Sequence, residues 1–103
     1  MTISELHEIS NKEPILVLTS TVWCSPCRSL KSTLSEISGI KIVEIDVDDS
    51  NNSEIVEFYK IRSIPTLLFV ERGELADKAI GSISKTDVLN RLETAWPNVL
   101  VNA

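Results

Sequence analysis

The chain predicts an α/β domain: a central mixed four-stranded sheet with helices packed on both faces. Three observations carry this. Apolar, β-branched runs alternate with segments whose apolar residues recur every three or four positions, in the order α-β-α-β-α-β-β-α, and strands separated by helices pair in parallel. The run Pro14-Ile15-Leu16-Val17-Leu18 is apolar without alternation, the mark of a strand covered on both faces. The last two strands are separated only by a short turn around Gly73, which makes them an antiparallel hairpin.

Thr2 followed three residues later by Glu5 forms a capping box, so a helix spans about residues 3–11 with Ile3, Leu6 and Ile9 inward. Residues 14–20 form the first strand. From Cys24 onward Cys27, Leu30, Leu34 and Ile37 recur at helical spacing, and Gly39 stops that helix. Lys41 to Val47 is a second strand. Asn51 with Glu54 repeats the capping pattern before a helix that turns Ile55, Phe58 and Tyr59 to one side. Pro65 to Val70 is the third strand and Leu75 to Ile80 the fourth. Ser84 with Asp87 caps the last helix, which buries Val88, Leu89 and Leu92 and ends at Pro97. Residues 1–103 form one domain, enough for a single hydrophobic core. The tail from Pro97 to Ala103 is apolar; its sequence leaves open packing on the sheet edge, contacts with other molecules, or fraying.

Composition narrows the function. The net charge is −5, with no two basic residues adjacent, so nothing stands ready to neutralise a phosphate backbone and nucleic acid is not an expected partner. No stretch approaches the roughly 18 apolar residues of a membrane span. The first residues carry Glu5 and lack the basic and apolar regions of a signal peptide, so a cytoplasmic protein is expected. A structural disulfide is rare in that compartment. The two cysteines, Cys24 and Cys27, are therefore expected to react rather than to staple the fold.

Both lie in Trp23-Cys24-Ser25-Pro26-Cys27, at a strand-to-helix junction, where a CxxC is a redox signature. Only a thiolate attacks a disulfide. Cys24 stands where the helix begins, beside unpaired N–H groups and the positive end of the dipole, which favour an anion. Cys24 is thus the expected nucleophile; Cys27, one turn in and less exposed, is the expected resolving thiol. Pro26 fits the first helical turn because its missing N–H loses nothing there. Trp23 offers an apolar platform to a partner. Two structural alternatives compete with this reading. Buried core cysteines have no reason to straddle a helix start beside Trp and Pro. A zinc or iron–sulfur site lacks ligands, because there is no third cysteine and His7, expected on the surface of the first helix, is the only histidine.

Val22-Trp23-Cys24-Ser25-Pro26-Cys27-Arg28 resembles the thioredoxin active-site signature, with Ser25 where glycine is usual. Asp46-Val47-Asp48, the run Phe58 to Leu67, Arg72-Gly73-Glu74 and Gly81 resemble further family segments in the same order, from Ile15 to Leu92. The resemblance implies a thioredoxin fold and dithiol–disulfide exchange. It implies a cis bond before Pro65, whose bare acceptors, with the Ile64 backbone, would pair with an incoming peptide as a short added strand. Trp23, Ser25, Pro26, Ile64, Pro65 and Gly81 would line the substrate groove. No bound cofactor is implied: the redox group is the Cys24–Cys27 pair, and NADPH would sit on a thioredoxin-reductase-like donor, since no Gly-rich dinucleotide fingerprint occurs here. The implied partners are that donor and disulfide-containing proteins, met by a monomer.

The departures from the family pattern are informative. Leu18 stands where a buried aspartate is usual, and Glu44 aligns with its neighbouring lysine. A partly buried Glu44 beneath Cys27 would then serve as the proton acceptor for the resolving thiol; the competing reading points it to solvent. Thr19-Ser20-Thr21 replace the aromatic residues that usually precede the motif, making the groove more polar. Ser32 replaces a kinking proline, so a straighter helix is expected. The chain before Ile15 is too short for the family's first strand plus helix, so a four-stranded sheet is expected. The Ser25-Pro26 pair resembles the reducing end of the family. The function expected is a reductant of protein disulfides; a dedicated donor to one target and a binding subunit with idle thiols are the alternatives.

Overall fold

The computed structural model describes residues 1–99, 101 and 102. Its elements are α1 (Ile3–Lys12), β1 (Ile15–Ser20), α2 (Ser25–Ser35), β2 (Lys41–Asp46), a 3-10 turn (Ser50–Asn52), α3 (Ser53–Phe58), β3 (Thr66–Glu71), β4 (Glu74–Ile80) and α4 (Lys85–Ala95). The sheet order is β2-β1-β3-β4. β1 pairs with β2 in parallel and with β3 antiparallel, and β3 with β4 antiparallel. The expected mixed four-stranded sheet is present, with β2 at an edge.

The apolar run in β1 explains the layering. Successive side chains point to opposite faces. Leu16 and Leu18 join Leu30 and Leu34 of α2, Leu67 and Phe69 of β3, and Val88, Leu92 and Trp96 at the α4 end in one core. Ile15 and Val17 join Leu6 of α1, Ile55 and Tyr59, and Leu68 and Val70 in the other. All six residues of β1 are buried. Leu18, 1% exposed, is an ordinary core residue.

The capping box at Thr2–Glu5 and the cap at Ser84 form as expected: Thr2 Oγ1 accepts from Glu5 N–H while Glu5 accepts from Thr2 N–H, and Ser84 Oγ accepts from Asp87 N–H. The hairpin turns through Arg72 and Gly73, both at positive φ (52° and 75°), the conformation that matches strand twist in a two-residue loop.

Four expectations need correction. α2 ends at Ser35, short of Ile37, because the Glu36 N–H already bonds back to Leu34 and Thr33 carbonyls; Gly39 (φ 90°) lies in the following loop. The Asn51 cap does not form: the Asp49 carboxylate accepts from Asn51 N–H at 2.9 Å, a 3-10 turn follows, and α3 starts at Ser53 without a side-chain cap. Phe58 is 55% exposed, because Tyr59 takes the inward place and donates to the Gly73 carbonyl at 2.8 Å. His7 is only partly on the surface. Its half-buried ring stands against the hairpin glycine and edge-on to Phe58, centroids 5.6 Å apart, and its Nε2 is buried without a hydrogen-bond partner.

The described part of the tail returns over α2's exit. Asn102 and Ser38 exchange two backbone hydrogen bonds at 2.8 Å, and Val99 and Val101 pack on the α2–α4 core. Leu100 and Ala103 of the expected tail lie outside the described residues.

Candidate active site

β1 ends at Ser20, and the chain passes through Thr21-Val22-Trp23 to the start of α2. Parallel β1 and β2 both present their carboxyl ends here, the usual position of sites in such sheets. Cys24 is the N-cap of α2: its backbone is extended (φ −88°, ψ 109°) and its Sγ accepts from the Cys27 N–H at 3.2 Å. Pro26 occupies the first turn. Cys24 and Cys27 are joined in a disulfide. A sulfur at a helix start, already accepting a backbone N–H, is a sulfur whose thiolate is stabilised on reduction.

One expectation fails in detail. Cys24 and Cys27 are 4% and 3% exposed, so burial does not separate attacker from resolver. Position distinguishes them: Cys24 is the cap of α2, and Cys27 lines the cleft with Ser20, Thr21 and Glu44.

Around the pair, Val22 and Trp23 are 81% and 66% exposed, an apolar rim on an otherwise polar end. Trp23 is oriented, since its Nε1–H donates to Asp48 Oδ2 at 3.1 Å, and the Asp48 N–H is in turn held by Asp46 Oδ1 at 2.9 Å. Arg28 donates to the Val22 carbonyl at 3.1 Å, tying the turn to the helix. Ser25 and Pro26 are exposed at the helix start.

The third part of the site comes from the β3 entrance. The Ile64–Pro65 peptide is cis. The Pro65 carbonyl accepts from the Gly81 N–H at 2.8 Å, which corrects the expectation of bare acceptors at Pro65. Neither backbone group of Ile64 has a partner among the described residues, so of the Ile64–Pro65 pair it is Ile64 that keeps free backbone groups. Gly81 has φ 91°, and a Cβ added there would meet nothing within 4 Å; the space beside it is open. Thr19, Ser63 and Thr66 fasten this segment, a role that the sequence reading did not assign to them. Thr19 Oγ1 donates to the Thr66 carbonyl at 2.8 Å and accepts from the Thr66 N–H at 2.9 Å, while Thr66 Oγ1 donates to the Ser63 carbonyl at 2.6 Å. The only sequence signal was the Thr19-Ser20-Thr21 run itself.

Glu44 lies on β2 opposite Leu18. The expected partial burial is only slight: its side chain is 40% exposed, ion-paired to Lys31 Nζ at 2.9 Å and accepting from Ser20 Oγ at 3.1 Å. Its face of β2 is covered here only by the exposed Lys31 of α2. It nevertheless lines the same cleft as Cys27, about 530 Å³, with Ser20, Thr21, Lys31 and Asp46. The arrangement brings Glu44 to the Cys27 side of the site, with Thr21 Oγ1 buried and unpartnered beside it.

No group of His, Cys, Asp and Glu among the described residues is placed to hold a metal ion, and no helix there is long and apolar enough to cross a membrane.

The thioredoxin family model matches residues 4–94. A thioredoxin of the red alga Pyropia yezoensis is 40% identical over 89 residues, covering 82% of this chain and 81% of that protein. A thioredoxin of Mycoplasmoides gallisepticum is 37% identical over 95 residues, covering 87% and 93%. Among solved structures, a mutant thioredoxin from Halobacterium salinarum superposes with a TM-score of 0.78 at 25% identity, covering 89% of this chain and 83% of that one.

Proposed function

This chain belongs to the thioredoxin family and is a dithiol–disulfide oxidoreductase of proteins, and on that premise we propose that Cys24 is the attacking sulfur and Cys27 the resolving one. The single observation behind this division is the hydrogen bond from the Cys27 N–H to Cys24 Sγ at the cap of α2. In the reduced protein the Cys24 thiolate attacks one sulfur of a substrate disulfide. The substrate's S–S bond breaks, one substrate thiolate leaves, and a mixed disulfide forms. The Cys27 thiolate then attacks Cys24 Sγ, releasing the second substrate thiolate and regenerating the Cys24–Cys27 disulfide. Two electrons pass to the substrate, and its two thiolates take up protons.

Trp23, Ser25, Pro26, Ile64, Pro65 and Gly81 form the docking groove in this reading, with the unpaired Ile64 backbone as the strand-like edge for an extended peptide. Glu44 takes the proton of Cys27 through their shared cleft, in place of the acid that Leu18 displaces. A reductase carrying NADPH recharges the disulfide, and the protein works as a cytoplasmic monomer. The expectation of a more polar groove holds only where Ser20 and Thr21 line the cleft beside Cys27; Thr19 is 0% exposed and meets no partner.

Two measurements test this. Cys24→Ser is expected to lower insulin reduction by at least about a thousandfold, the scale of losing a covalent nucleophile; a variant that still turns over moves the attack to Cys27, and a native role untouched by the change returns the chain to the binding-subunit reading. Glu44→Gln is expected to alter the pH profile of turnover. An unchanged profile removes Glu44 from the mechanism and leaves the cysteine assignment standing.

A further inference from the structure

We propose that Thr19 is a positioning residue for disulfide exchange, its hydroxyl setting the Ile64–Pro65 edge in register with the cysteine turn. This rests on the reading that this edge docks the substrate. The nucleophile and the docking edge come from distant parts of the chain, and Thr19 belongs to both. Through its backbone it leads, along the last residues of β1, into the turn that presents Cys24. Through its side chain it holds the residue that follows Pro65, 47 positions away.

The contact uses both capacities of a hydroxyl. Oγ1–H donates to the Thr66 carbonyl at 2.8 Å, and a lone pair accepts the Thr66 N–H at 2.9 Å. Thr19 and Thr66 are both 0% exposed, so water cannot replace either bond. They are also cross-strand partners, the last pair of the β1–β3 ladder before the chain turns back to Pro65. Two further ties complete the segment: Thr66 Oγ1 to the Ser63 carbonyl at 2.6 Å, and the Gly81 N–H to the Pro65 carbonyl at 2.8 Å. Ser63, Pro65 and Thr66 are thus each fastened, and Ile64 between them is the position left free to pair. An apolar residue at 19 fills the same space but takes both hydroxyl bonds away from the buried Thr66 N–H and carbonyl, a loss of buried pairing that native structures avoid. The segment then shifts to find others, and the edge moves relative to Cys24.

The test compares Thr19→Val, which keeps the shape and removes both bonds, with Thr19→Ser, which keeps the hydroxyl. Each full-length variant is assayed with insulin, which spans the groove, and with bis(2-hydroxyethyl) disulfide, which is too small to use it. Thr19→Val is expected to raise the KM for insulin about tenfold or more, the scale of losing two buried hydrogen bonds, with kcat and the rate toward the small disulfide within about twofold. Thr19→Ser is expected to restore the insulin KM. Parallel losses on both disulfides, or a serine variant as poor as the valine one, overturn the positioning role. Ile64→Asp separates this from the reading beneath it. If Ile64→Asp raises the insulin KM and Thr19→Val does not, the groove stands and the role of Thr19 fails; if neither does, the groove reading fails and takes the proposal with it. Should Thr19→Val not fold, amide exchange in the unaltered protein decides: the Thr66 amide is expected to exchange as slowly as that of Leu68, and exchange as fast as at Ser63 overturns the clamp.

Discussion

Gly73 and Gly81 stand at the two ends of β4 in nearly the same backbone conformation, φ 75° and 91°, yet their surroundings are opposite. A Cβ on Gly73 would sit 2.7 Å from the His7 ring; one on Gly81 would touch nothing. At the hairpin end the Gly73 N–H binds Ser10 Oγ at 2.9 Å, its carbonyl takes the Tyr59 hydroxyl at 2.8 Å, and the Arg72 N–H binds the Ser10 carbonyl at 3.0 Å. At the cysteine end the Ile64 backbone is unpaired among the described residues and Val22 and Trp23 are exposed. One end of the sheet packs its glycine against His7, and the other keeps open space beside its glycine, the end where we propose that a substrate docks. Similar dihedral angles therefore serve stability in one place and access in the other.

Substitution of the two glycines is the strongest way to break this contrast. Gly73→Ala is expected to destabilise the fold by about 2–4 kcal/mol, since left-handed strain and overpacking against His7 add. Gly81→Ala carries the strain alone, about 1 kcal/mol, and raises the KM for insulin because its methyl enters the groove. Chemical denaturation paired with insulin kinetics checks both; equal destabilisation at the two sites would show that the hairpin end is not close-packed. Adding His7→Ala to Gly73→Ala sharpens the point. A coupling of about 1 kcal/mol in the double-mutant cycle is expected, and strict additivity would mean that the ring does not crowd the glycine.

Tyr59 gives a smaller effect with a pH signature. Burial pushes its phenol above the ordinary value, near 10. The folded protein thus holds the proton more tightly, so this contribution is complete below about pH 10 and is lost as pH rises through the higher folded value. Tyr59→Phe is expected to cost about 1 kcal/mol at neutral pH, through its bond to Gly73, and to flatten the loss of stability above about pH 10. A variant with the same alkaline slope would assign that slope elsewhere.

The smallest effect lies at the α1 cap. Backbone and side-chain hydrogen bonds from Thr2 lower the Glu5 carboxyl below its ordinary range. Its contribution is present above the unfolded value and disappears as pH falls through the lower folded one. Glu5→Gln is expected to weaken the acid dependence of stability slightly, visible in thermal melts between about pH 5 and 3.

What was legible in the sequence was local. Thr2–Glu5 and Ser84–Asp87 fold as capped helix starts because a cap needs only its own first turn. The unalternating apolar run at Ile15–Leu18 marked a strand covered on both sides. The cysteine motif was legible for the same reason, as its geometry is one helical turn. What failed depended on distant or competing partners. Asp49 captured the Asn51 N–H before Asn51 could cap α3. Phe58 yielded the inward place to Tyr59, whose hydroxyl has a carbonyl to reach across the fold. Nothing near His7 in the sequence announces the hairpin that half-covers it. The Thr19 clamp joins residues 47 apart; the place of Glu44 beside Cys27 was legible, but its ion pair with Lys31 was not.

The most direct test of the division of labour at the open end is to trap the intermediate. Reduced Cys27→Ser and Cys24→Ser proteins, mixed with insulin, are quenched with acid and the adducts read by mass spectrometry. Cys27→Ser is expected to accumulate a mixed disulfide through Cys24, because no second thiol releases it, while Cys24→Ser forms little. Accumulation through Cys27 in the Cys24→Ser protein, with none in the other, would contradict the assignment.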